Sequence, residues 1–167
     1  TDFDGDGKAD IVLYEPSSNT FTVRGSSKKK FLQKQVGQLG AIPVLGDYTG
    51  DGKAEFATYN RTSGVWSFSY LNNTELTIKF GGAKWFPVPG HYSVGTCLDI
   101  AVFRRETGEW KIQNCTNGAV STYTFGEKGI PAPGDYDCDG RTDLAVFGPT
   151  TPAWRIRLSS TGQSVRF

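Results

Sequence analysis

Acidic residues alternate with other residues in the first ten positions of the chain. Three aspartates occupy every second position from residue 2, a glycine follows them, and a fourth aspartate closes the segment 2–10, hereafter loop 1. When such a loop curls, alternate carboxylates converge on one point, and the glycine allows a sharp turn. A shell of about six to eight oxygen ligands suits a hard cation, Ca²⁺ rather than Zn²⁺. The predicted ligands are four carboxylates and one backbone carbonyl: Asp2, Asp4, Asp6, Asp10 and Lys8.

The same pattern returns in residues 135–143, hereafter loop 4. Its predicted ligands are again four carboxylates and one carbonyl: Asp135, Asp137, Asp139, Asp143 and Arg141. Four acidic side chains at this spacing would repel one another without a counter-ion, which favours a cation site over an ordinary turn. Neither loop is an EF-hand, because the position where that motif needs a bidentate Glu holds Leu13 in loop 1 and Val146 in loop 4.

Two related segments depart from this pattern. Loop 2, residues 47–55, has Thr49 at the second acidic position, which predicts a weaker site with three acidic ligands: Asp47, Asp51 and Glu55. Loop 3, residues 91–99, keeps only its last acid, Asp99, and the other acidic positions hold His91, Ser93 and Gly95. We expect loop 3 to bind no cation and to be held by hydrogen bonds or a disulfide.

The four loops mark an internal repeat. They begin at residues 2, 47, 91 and 135, so successive starts lie 45, 44 and 44 residues apart. Two aromatic series and one proline series keep the same step: Tyr14, Tyr59, Phe103 and Phe147; Phe21, Trp66, Trp110 and Trp154; Pro43, Pro87 and Pro131. Unrelated residue types that share one period predict four repeats in a single domain 1–167, at approximately 1–45, 46–89, 90–133 and 134–167.

Each repeat reads as a loop and three strands joined by turns, followed by a Gly/Pro segment. The first strand is apolar at successive positions, which predicts burial on both faces, whereas the second alternates apolar and polar residues. A short fourth strand is predicted through residues 42–45, 86–89 and 130–133. Repeated sheets of three or four strands predict an all-β, β-propeller-like fold whose core forms where neighbouring blades stack through the aromatic series.

The ends of the chain leave the closure of a ring open. The fourth repeat stops before its Gly/Pro segment and the first begins at its loop, so about nine residues of one repeat are missing. The chain is therefore a permuted four-bladed ring with an imperfect seam, half of a larger ring, or an open stack whose ends pair with another chain. Exposed edges favour assembly, so we expect a homo-oligomer or filament through open blade edges.

Loop 1 followed by Ile-Val-Leu-Tyr, and loop 4 preceded by Pro-Gly and followed by Leu-Ala-Val-Phe, resemble FG-GAP and VCBS repeats. These are the calcium-loop blades also found in the propellers of integrin α-chains, and the resemblance covers nearly the whole chain. It implies an extracellular or cell-surface β-propeller used in adhesion or in carbohydrate or protein recognition, with Ca²⁺ as a structural pin. Loop 3 departs from the family pattern, and four repeats are fewer than is usual in that family.

Three cysteines allow one disulfide. Cys97 precedes the first strand of the third repeat and Cys115 ends the second, so a hairpin that turns near Glu106 would place them opposite each other. We favour this pair over Cys97 with Cys138, and three free thiols are the remaining alternative. The favoured disulfide would replace the missing cation of loop 3.

Three N-glycosylation sequons fall at predicted turns: Asn60, Asn72 and Asn114. Together with the calcium loops and the disulfide, they predict a secreted or cell-surface glycoprotein.

Catalytic constellations are hard to find in the sequence. His91 has Ser93 and Asp99 nearby, but no strand-turn-helix elbow or activating base surrounds any Ser or Cys. The paired carboxylates could serve as glycosidase acids, yet their alternating spacing and their duplication in two loops fit a cation cage better. The sequence therefore predicts a protein that is not an enzyme.

The formal net charge of +1 predicts no nucleic-acid partner, and no apolar stretch is long enough to span a membrane. A basic run at residues 28–30 reads as a solvated turn.

The leading functional hypothesis is an extracellular, calcium-stabilised structural or adhesive module that self-assembles and contacts glycans or extracellular proteins. One alternative is a carbohydrate-binding lectin in which Trp66, Trp110 or Trp154 stacks on sugar rings, although their period favours core positions. The other is the recognition domain of a secreted hydrolase.

Overall fold

The computed structural model describes residues 1–27, 31–150 and 152–167. The basic turn predicted at residues 28–30 lies outside the described residues. The regular elements within the described ranges are β-strands: β1 Ile11–Glu15, β2 Thr20–Arg24, β3 Phe31–Gln35, β4 Ile42–Pro43, β5 Phe56–Asn60, β6 Val65–Ser69, β7 Glu75–Lys79, β8 Trp85–Pro87, β9 Ile100–Arg104, β10 Glu109–Gln113, β11 Val120–Thr124, β12 Ile130–Pro131, β13 Leu144–Gly148, β14 Ala153–Arg157 and β15 Ser164–Arg166. Those ranges contain no helix long and apolar enough to cross a lipid bilayer.

The strands form four small antiparallel sheets, in the orders β1-β2-β3, β4-β5-β6-β7, β8-β9-β10-β11 and β12-β13-β14-β15. The prediction of an all-β chain with three or four strands in each sheet is confirmed. The short strand before each loop pairs with the first strand of the following repeat, as Ile42 does with Tyr59. The second, third and fourth sheets therefore begin one strand earlier than their sequence repeats, and the prolines of the short strands occupy sheet edges, where no ladder hydrogen bond is lost.

The chain divides into two compact units, Thr1–Ala83 and Lys84–Phe167. In the first unit, the core lies between the sheet β1-β2-β3 and the sheet β4-β5-β6-β7. Its buried cluster consists of apolar residues from both sheets and their loops: Phe3, Phe21, Val23, Val36, Ala54 and Phe56. The ring centroids of Phe21 and Phe56 lie 5.5 Å apart, so the second strand of one sheet packs on the first long strand of the next.

The second unit repeats this arrangement with its own two sheets. Its buried cluster joins β9 and β10 of one sheet to β13 of the other: Val88, Ala101, Phe103, Trp110, Ile112, Leu144 and Val146. Trp110 is fully buried, and its indole Nε1 donates to the carbonyl of Phe125 at 2.9 Å. Trp66 in the first unit makes the equivalent bond to the carbonyl of Phe80 at 3.0 Å. A buried indole needs such a partner, which the end of the third strand supplies in both units.

The two aromatic series of the sequence meet across the first and second long strands of each sheet. Tyr59 lies opposite Trp66 in the strand register, and their ring centroids are 4.9 Å apart. The other pairs of the series make the same contact: Tyr14 with Phe21, Phe103 with Trp110, and Phe147 with Trp154. The shared period of these residues thus reflects direct cross-strand packing.

Three residues differ from the predicted burial. The first strand was expected to be buried on both faces, but Ile11 and Leu13 in β1 are 60% and 67% exposed. Phe56, the β5 residue equivalent to Ile11, is buried because Phe21 packs on it, and among the described residues of the first unit none packs in this way on Ile11. In the fourth repeat, Trp154 is 38% exposed, whereas the equivalent residues Trp66 and Trp110 are fully buried.

Candidate metal centres

Carboxylates gather in three of the four loops. In each cluster one oxygen per residue lies within 4.8 Å of the others: Asp2, Asp4 and Asp6; Asp47, Asp51 and Glu55; Asp135, Asp137 and Asp143. Clusters of this kind could hold a metal ion. The structure thus brings together three of the four carboxylates predicted for loop 1, three of the four predicted for loop 4, and all three predicted for loop 2.

The first acid of each clustered loop organises the loop backbone. Asp2 Oδ1 accepts a hydrogen bond from the Gly5 N–H and Oδ2 accepts one from the Gly7 N–H, both at 2.7 Å. Asp47 and Asp135 accept equivalent bonds from the N–H groups of Gly52 and Gly140, at 2.8 and 2.9 Å. Burial raises the pKa of Asp2, but the hydrogen bonds from Gly5 and Gly7 outweigh it and lower the pKa overall. The carboxylate is therefore held in the ionised form that a cation requires.

The second acid of loops 1 and 4 carries a buried oxygen with no partner. Asp4 Oδ2 accepts a hydrogen bond from Ser27 Oγ at 2.6 Å, and Asp137 Oδ2 accepts one from Ser160 Oγ. The other oxygen of each carboxylate, Oδ1, is buried and has no hydrogen-bond partner among the described residues. Leaving a charged acceptor buried and unpaired is costly, and a cation within the cluster would supply the missing partner. The residues present therefore fit a hard divalent cation.

The third acid differs between the two loops. In loop 1, Asp6 belongs to the cluster, and its Oδ2 accepts a hydrogen bond from Ser26 Oγ at 2.6 Å. In loop 4, Asp139 Oδ2 accepts hydrogen bonds from Ser159 Oγ at 2.7 Å and from Arg141 Nη2 at 3.0 Å. The Ser159 hydroxyl, together with Arg141, lowers the pKa of Asp139. Asp139 lies outside the cluster that contains Asp137, so its predicted role as a ligand stays a prediction, as do the carbonyl ligands Lys8 and Arg141.

The last acid of loops 1, 3 and 4 fastens the loop to the turn between the second and third long strands. Asp10 Oδ2 accepts the Phe3 N–H at 2.7 Å and Oδ1 accepts the Ser26 N–H at 2.8 Å. Asp143 makes the same pair of bonds, to Tyr136 and Ser159, and Asp99 makes a closely similar pair, to Ser93 and Cys115. Loop 3 has no other acid, so this arrangement does not depend on a cation site. Asp10 has this structural role and lies outside the loop 1 cluster, whereas Asp143 has the same role and also belongs to the loop 4 cluster.

Loop 2 concentrates negative charge around a buried carboxylate. Glu55 is 3% exposed, and its Oε2 accepts hydrogen bonds from the N–H groups of Tyr48 and Thr49 at 2.7 and 3.2 Å. Burial raises the pKa of Glu55, and the charges of Asp47 and Asp51 raise it further. A cation would relieve this repulsion, but Thr49 replaces the carboxylate that carries the unpartnered oxygen in loops 1 and 4.

In loop 3 a disulfide joins the loop to the turn between the second and third long strands. Cys97 and Cys115 are bonded, with their Cα atoms 6.1 Å apart, and this is the pair that the sequence favours. Cys138 is free and exposed. Cys97 and Cys115 correspond in the repeat to Arg141 and Ser159, and in loop 4 Arg141 Nη2 donates to the Ser159 carbonyl at 3.0 Å. The loop and the turn are thus joined covalently in one repeat and by a hydrogen bond in the other.

Two pairs of serines contact the acids of the candidate metal centres, and sequence reasoning missed them. Ser26 and Ser27 reach the acids of loop 1, and Ser159 and Ser160 reach those of loop 4, each across a hairpin. A signal was present: both pairs stand two residues after an arginine that ends the second strand of their repeat. The corresponding positions of the third repeat hold Cys115 and Thr116.

The sequon asparagines all cap turns through their side-chain carbonyls. Asn60, Asn72 and Asn114 each accept a hydrogen bond from the N–H of the threonine two residues later, at 3.0, 2.9 and 2.8 Å. Asn72 is exposed, while Asn60 and Asn114 are half-buried.

His91 is held through its backbone, since its N–H donates to Thr142 Oγ1 at 2.9 Å and its carbonyl accepts the Thr142 N–H at 2.8 Å.

Comparisons with known proteins found no relative of this chain. No protein family, curated protein sequence or solved structure matches this chain. The fold and the three carboxylate clusters are therefore the observations on which a functional proposal rests.

Proposed function

We propose that this chain is an extracellular, non-enzymatic structural or adhesive module built from propeller-type blades of the FG-GAP/VCBS kind, in which loops 1 and 4 bind Ca²⁺. The observation that carries the proposal is the pair of buried, unpartnered oxygens, Asp4 Oδ1 and Asp137 Oδ1. They occupy equivalent positions in the two loops with the full set of acids. Their recurrence supports a common partner, and carboxylate ligands without sulfur or imidazole favour Ca²⁺.

The cation has a structural task in this proposal. Within a repeat, the serines tie the acidic loop to the turn between the second and third long strands, as Ser27 does with Asp4. Within a unit, consecutive loops are also connected, because the Ala54 N–H donates to the Asp2 carbonyl at 2.6 Å. Neutralising the acids would therefore strengthen a junction where a loop, a turn and the next loop meet.

Calorimetric titration of the metal-free protein with Ca²⁺ tests the proposal. We expect saturable binding at loops 1 and 4, loss of one site in Asp4→Asn, loss of the other in Asp137→Asn, and a melting temperature that rises with Ca²⁺ in wild-type protein. Glu106→Gln, which changes an exposed acid outside the loops, is the matched control. Binding that both loop variants retain, or a melting temperature that EDTA leaves unchanged, would exclude calcium stabilisation.

Self-assembly is the second part of the proposal. Ile11 and Leu13 present apolar surface on β1 at positions where the equivalent residues of β5, Phe56 and Thr58, are buried. Such a face is a favourable docking surface for another blade. Light scattering coupled to size-exclusion chromatography should show oligomers that the exchange Leu13→Asn disrupts. A monomer at all concentrations would exclude this part and leave the calcium sites untouched.

Extracellular localisation is supported by the disulfide between Cys97 and Cys115, because such bonds persist in oxidising compartments.

The alternative function, a carbohydrate-binding lectin, has one remaining candidate for a tryptophan that stacks on a sugar ring. Trp66 and Trp110 are fully buried and offer no face to a sugar, whereas Trp154 is 38% exposed. A glycan array compared between wild-type protein and Trp154→Ala tests the alternative, and identical or null binding profiles would reject it.

A further inference from the structure

A small cavity lies between the two sheets of the second unit. Its volume is about 150 Å³, and its walls combine apolar, aromatic and cationic side chains: Ile112, Tyr123, Leu144, Arg157, Leu158 and Ser159. Clefts for drug-sized ligands span roughly 300–1,000 Å³, so this cavity suits a ligand smaller than those or the end of a peptide.

Arg157 supplies the charge of this cavity. The centre of its guanidinium lies 5.1 Å from the centroid of the Tyr123 ring, and its Nε donates to the Gly162 carbonyl at 3.4 Å. Stacking and a backbone bond thus hold the group at two points. Within residues 1–27, 31–150 and 152–167, no carboxylate pairs with Arg157, and its two terminal nitrogens donate no hydrogen bond.

The second guanidinium on the cavity wall is already engaged. Arg141 pairs with Asp139 Oδ2 at 3.0 Å and also donates to the Ser159 carbonyl. Its charge is compensated inside the protein, so Arg157 is the group that offers an anion a planar pair of donors.

The first unit does not repeat this chemistry. The residue of β6 that corresponds to Arg157 is Ser69, and the residue of β3 that corresponds to Tyr123 is Lys34, whose Nζ contacts the side chains of Asn73 and Glu75. A stacked arginine beside apolar walls is therefore a property of the third and fourth repeats and not a consequence of the blade architecture.

We propose that this cavity binds a small carboxylate with an apolar body. The carboxylate pairs with the terminal nitrogens of Arg157, and the body lies against the apolar wall of Ile112, Leu144 and Leu158. Planar guanidinium groups match carboxylates through two parallel hydrogen bonds, which selects this anion over a neutral group of the same shape. The ligand is either a free acid or the carboxyl terminus of a peptide with an apolar last residue. The site uses none of the carboxylates assigned to Ca²⁺, so it stands whether or not the loops bind that ion.

The test is an NMR titration of the ¹⁵N-labelled chain in EDTA and again in Ca²⁺. The probes are 4-methylbenzoate, acetyl-Gly-Gly-Leu with a free carboxyl terminus, and the amide of each. We expect saturable shifts of the Arg157 and Leu158 amides with an acid, at least tenfold weaker binding of its amide, and a similar loss in Arg157→Gln. Arg24→Gln changes the exposed arginine at the equivalent position of β2 and should bind as wild type does.

Binding of 4-methylbenzoate alone assigns the cavity to a free acid, and binding of the peptide acid assigns it to a carboxyl terminus. Equal affinity for acids and amides, or full binding in Arg157→Gln with its spectrum otherwise unchanged, would overturn the proposal. So would the absence of saturable shifts with both acids.

Discussion

Ser27 Oγ lies 2.6 Å from Asp4 Oδ2 across a hairpin that separates the two residues by 23 positions in the chain. The contact occupies one oxygen of the carboxylate and leaves the other, Oδ1, buried and unpartnered. The serine therefore orients the group that a cation would complete, much as outer-shell hydrogen bonds orient metal ligands elsewhere.

Removing this orienting hydroxyl should weaken calcium binding without removing a ligand. We expect Ser27→Ala and Ser160→Ala each to reduce the affinity of one loop for Ca²⁺ by about tenfold, since a hydrogen bond to a charged group contributes about 1.5–3 kcal/mol. Calorimetric titration measures the change. Ser164→Ala on β15 is the matched control, and equal affinities in all three variants would contradict the orienting role.

The disulfide should carry much of the stability of the second unit. Replacing Cys97 and Cys115 together by alanine frees a chain segment that spans 18 positions, and we expect a loss of about 3 kcal/mol in the free energy of unfolding. Urea unfolding under non-reducing conditions measures it. Cys138→Ala should leave the unfolding midpoint almost unchanged, and a double variant as stable as wild type would show that Asp99 alone suffices to hold loop 3.

Cys138 occupies a backbone conformation that favours glycine. Its φ is 61°, and the equivalent residues of loops 1 and 2, Gly5 and Gly50, both have a φ of 77°. Because left-handed backbone costs a residue with a Cβ about 1–2 kcal/mol, Cys138→Gly should raise the unfolding free energy by about 1 kcal/mol. Chemical denaturation in EDTA and reductant measures it.

The opposite exchange in the same loop is the control for this prediction. Gly140 has a φ of 83°, and a Cβ added there meets no atom within 4 Å. Gly140→Ala should therefore destabilise the protein through backbone strain alone, by about 1 kcal/mol. If both variants shift stability in the same direction, backbone conformation is not the cause.

Tyr92 should make stability depend on alkaline pH. Its hydroxyl donates to the Val88 carbonyl at 2.7 Å, and burial, together with the charge of Asp99, raises its pKa. Because the folded-state pKa lies above the unfolded value of about 10, this contribution is fully present below pH 10 and is lost as the pH rises further.

Tyr92→Phe should therefore lower the unfolding free energy by about 1 kcal/mol at neutral pH, with a difference from wild type that shrinks above pH 10. Urea unfolding at a series of pH values measures it. A difference that stays constant up to pH 11 would show that the hydroxyl is not responsible.

Much of the fold could be predicted because it follows from local pattern. The step that relates Tyr59 to Tyr14 also relates Trp66 to Phe21, and residues that pair across a hairpin must keep a fixed spacing in every repeat. The exposure of Ile11 and Leu13 could not be predicted in this way. Their sequence pattern equals that of Leu144 and Val146, and the two cases differ because apolar residues of another sheet, Trp110 among them, pack in one cluster with Leu144 and Val146.

The candidate sites could likewise be predicted where they follow from local pattern and not where they depend on tertiary contacts. Alternating acids predicted the clusters of loops 1 and 4, because alternate residues of a tight loop face one point, and the repeat extended the prediction to loop 2. The separation of Asp139 from its cluster depends on Arg141 and Ser159, whose contacts form only once the hairpin has folded. The cavity beside Arg157 requires residues from two sheets, so spacing along the chain does not reveal it.

The bonds of Asp99 to Ser93 and Cys115 hold loop 3 although its other acidic positions carry no carboxylate. A protein engineer could therefore place the other acids of loop 1 at the equivalent positions of loop 3 while keeping Asp99 and its two backbone bonds. Affinity for a cation could in this way be added to a loop that its last acid already holds in place.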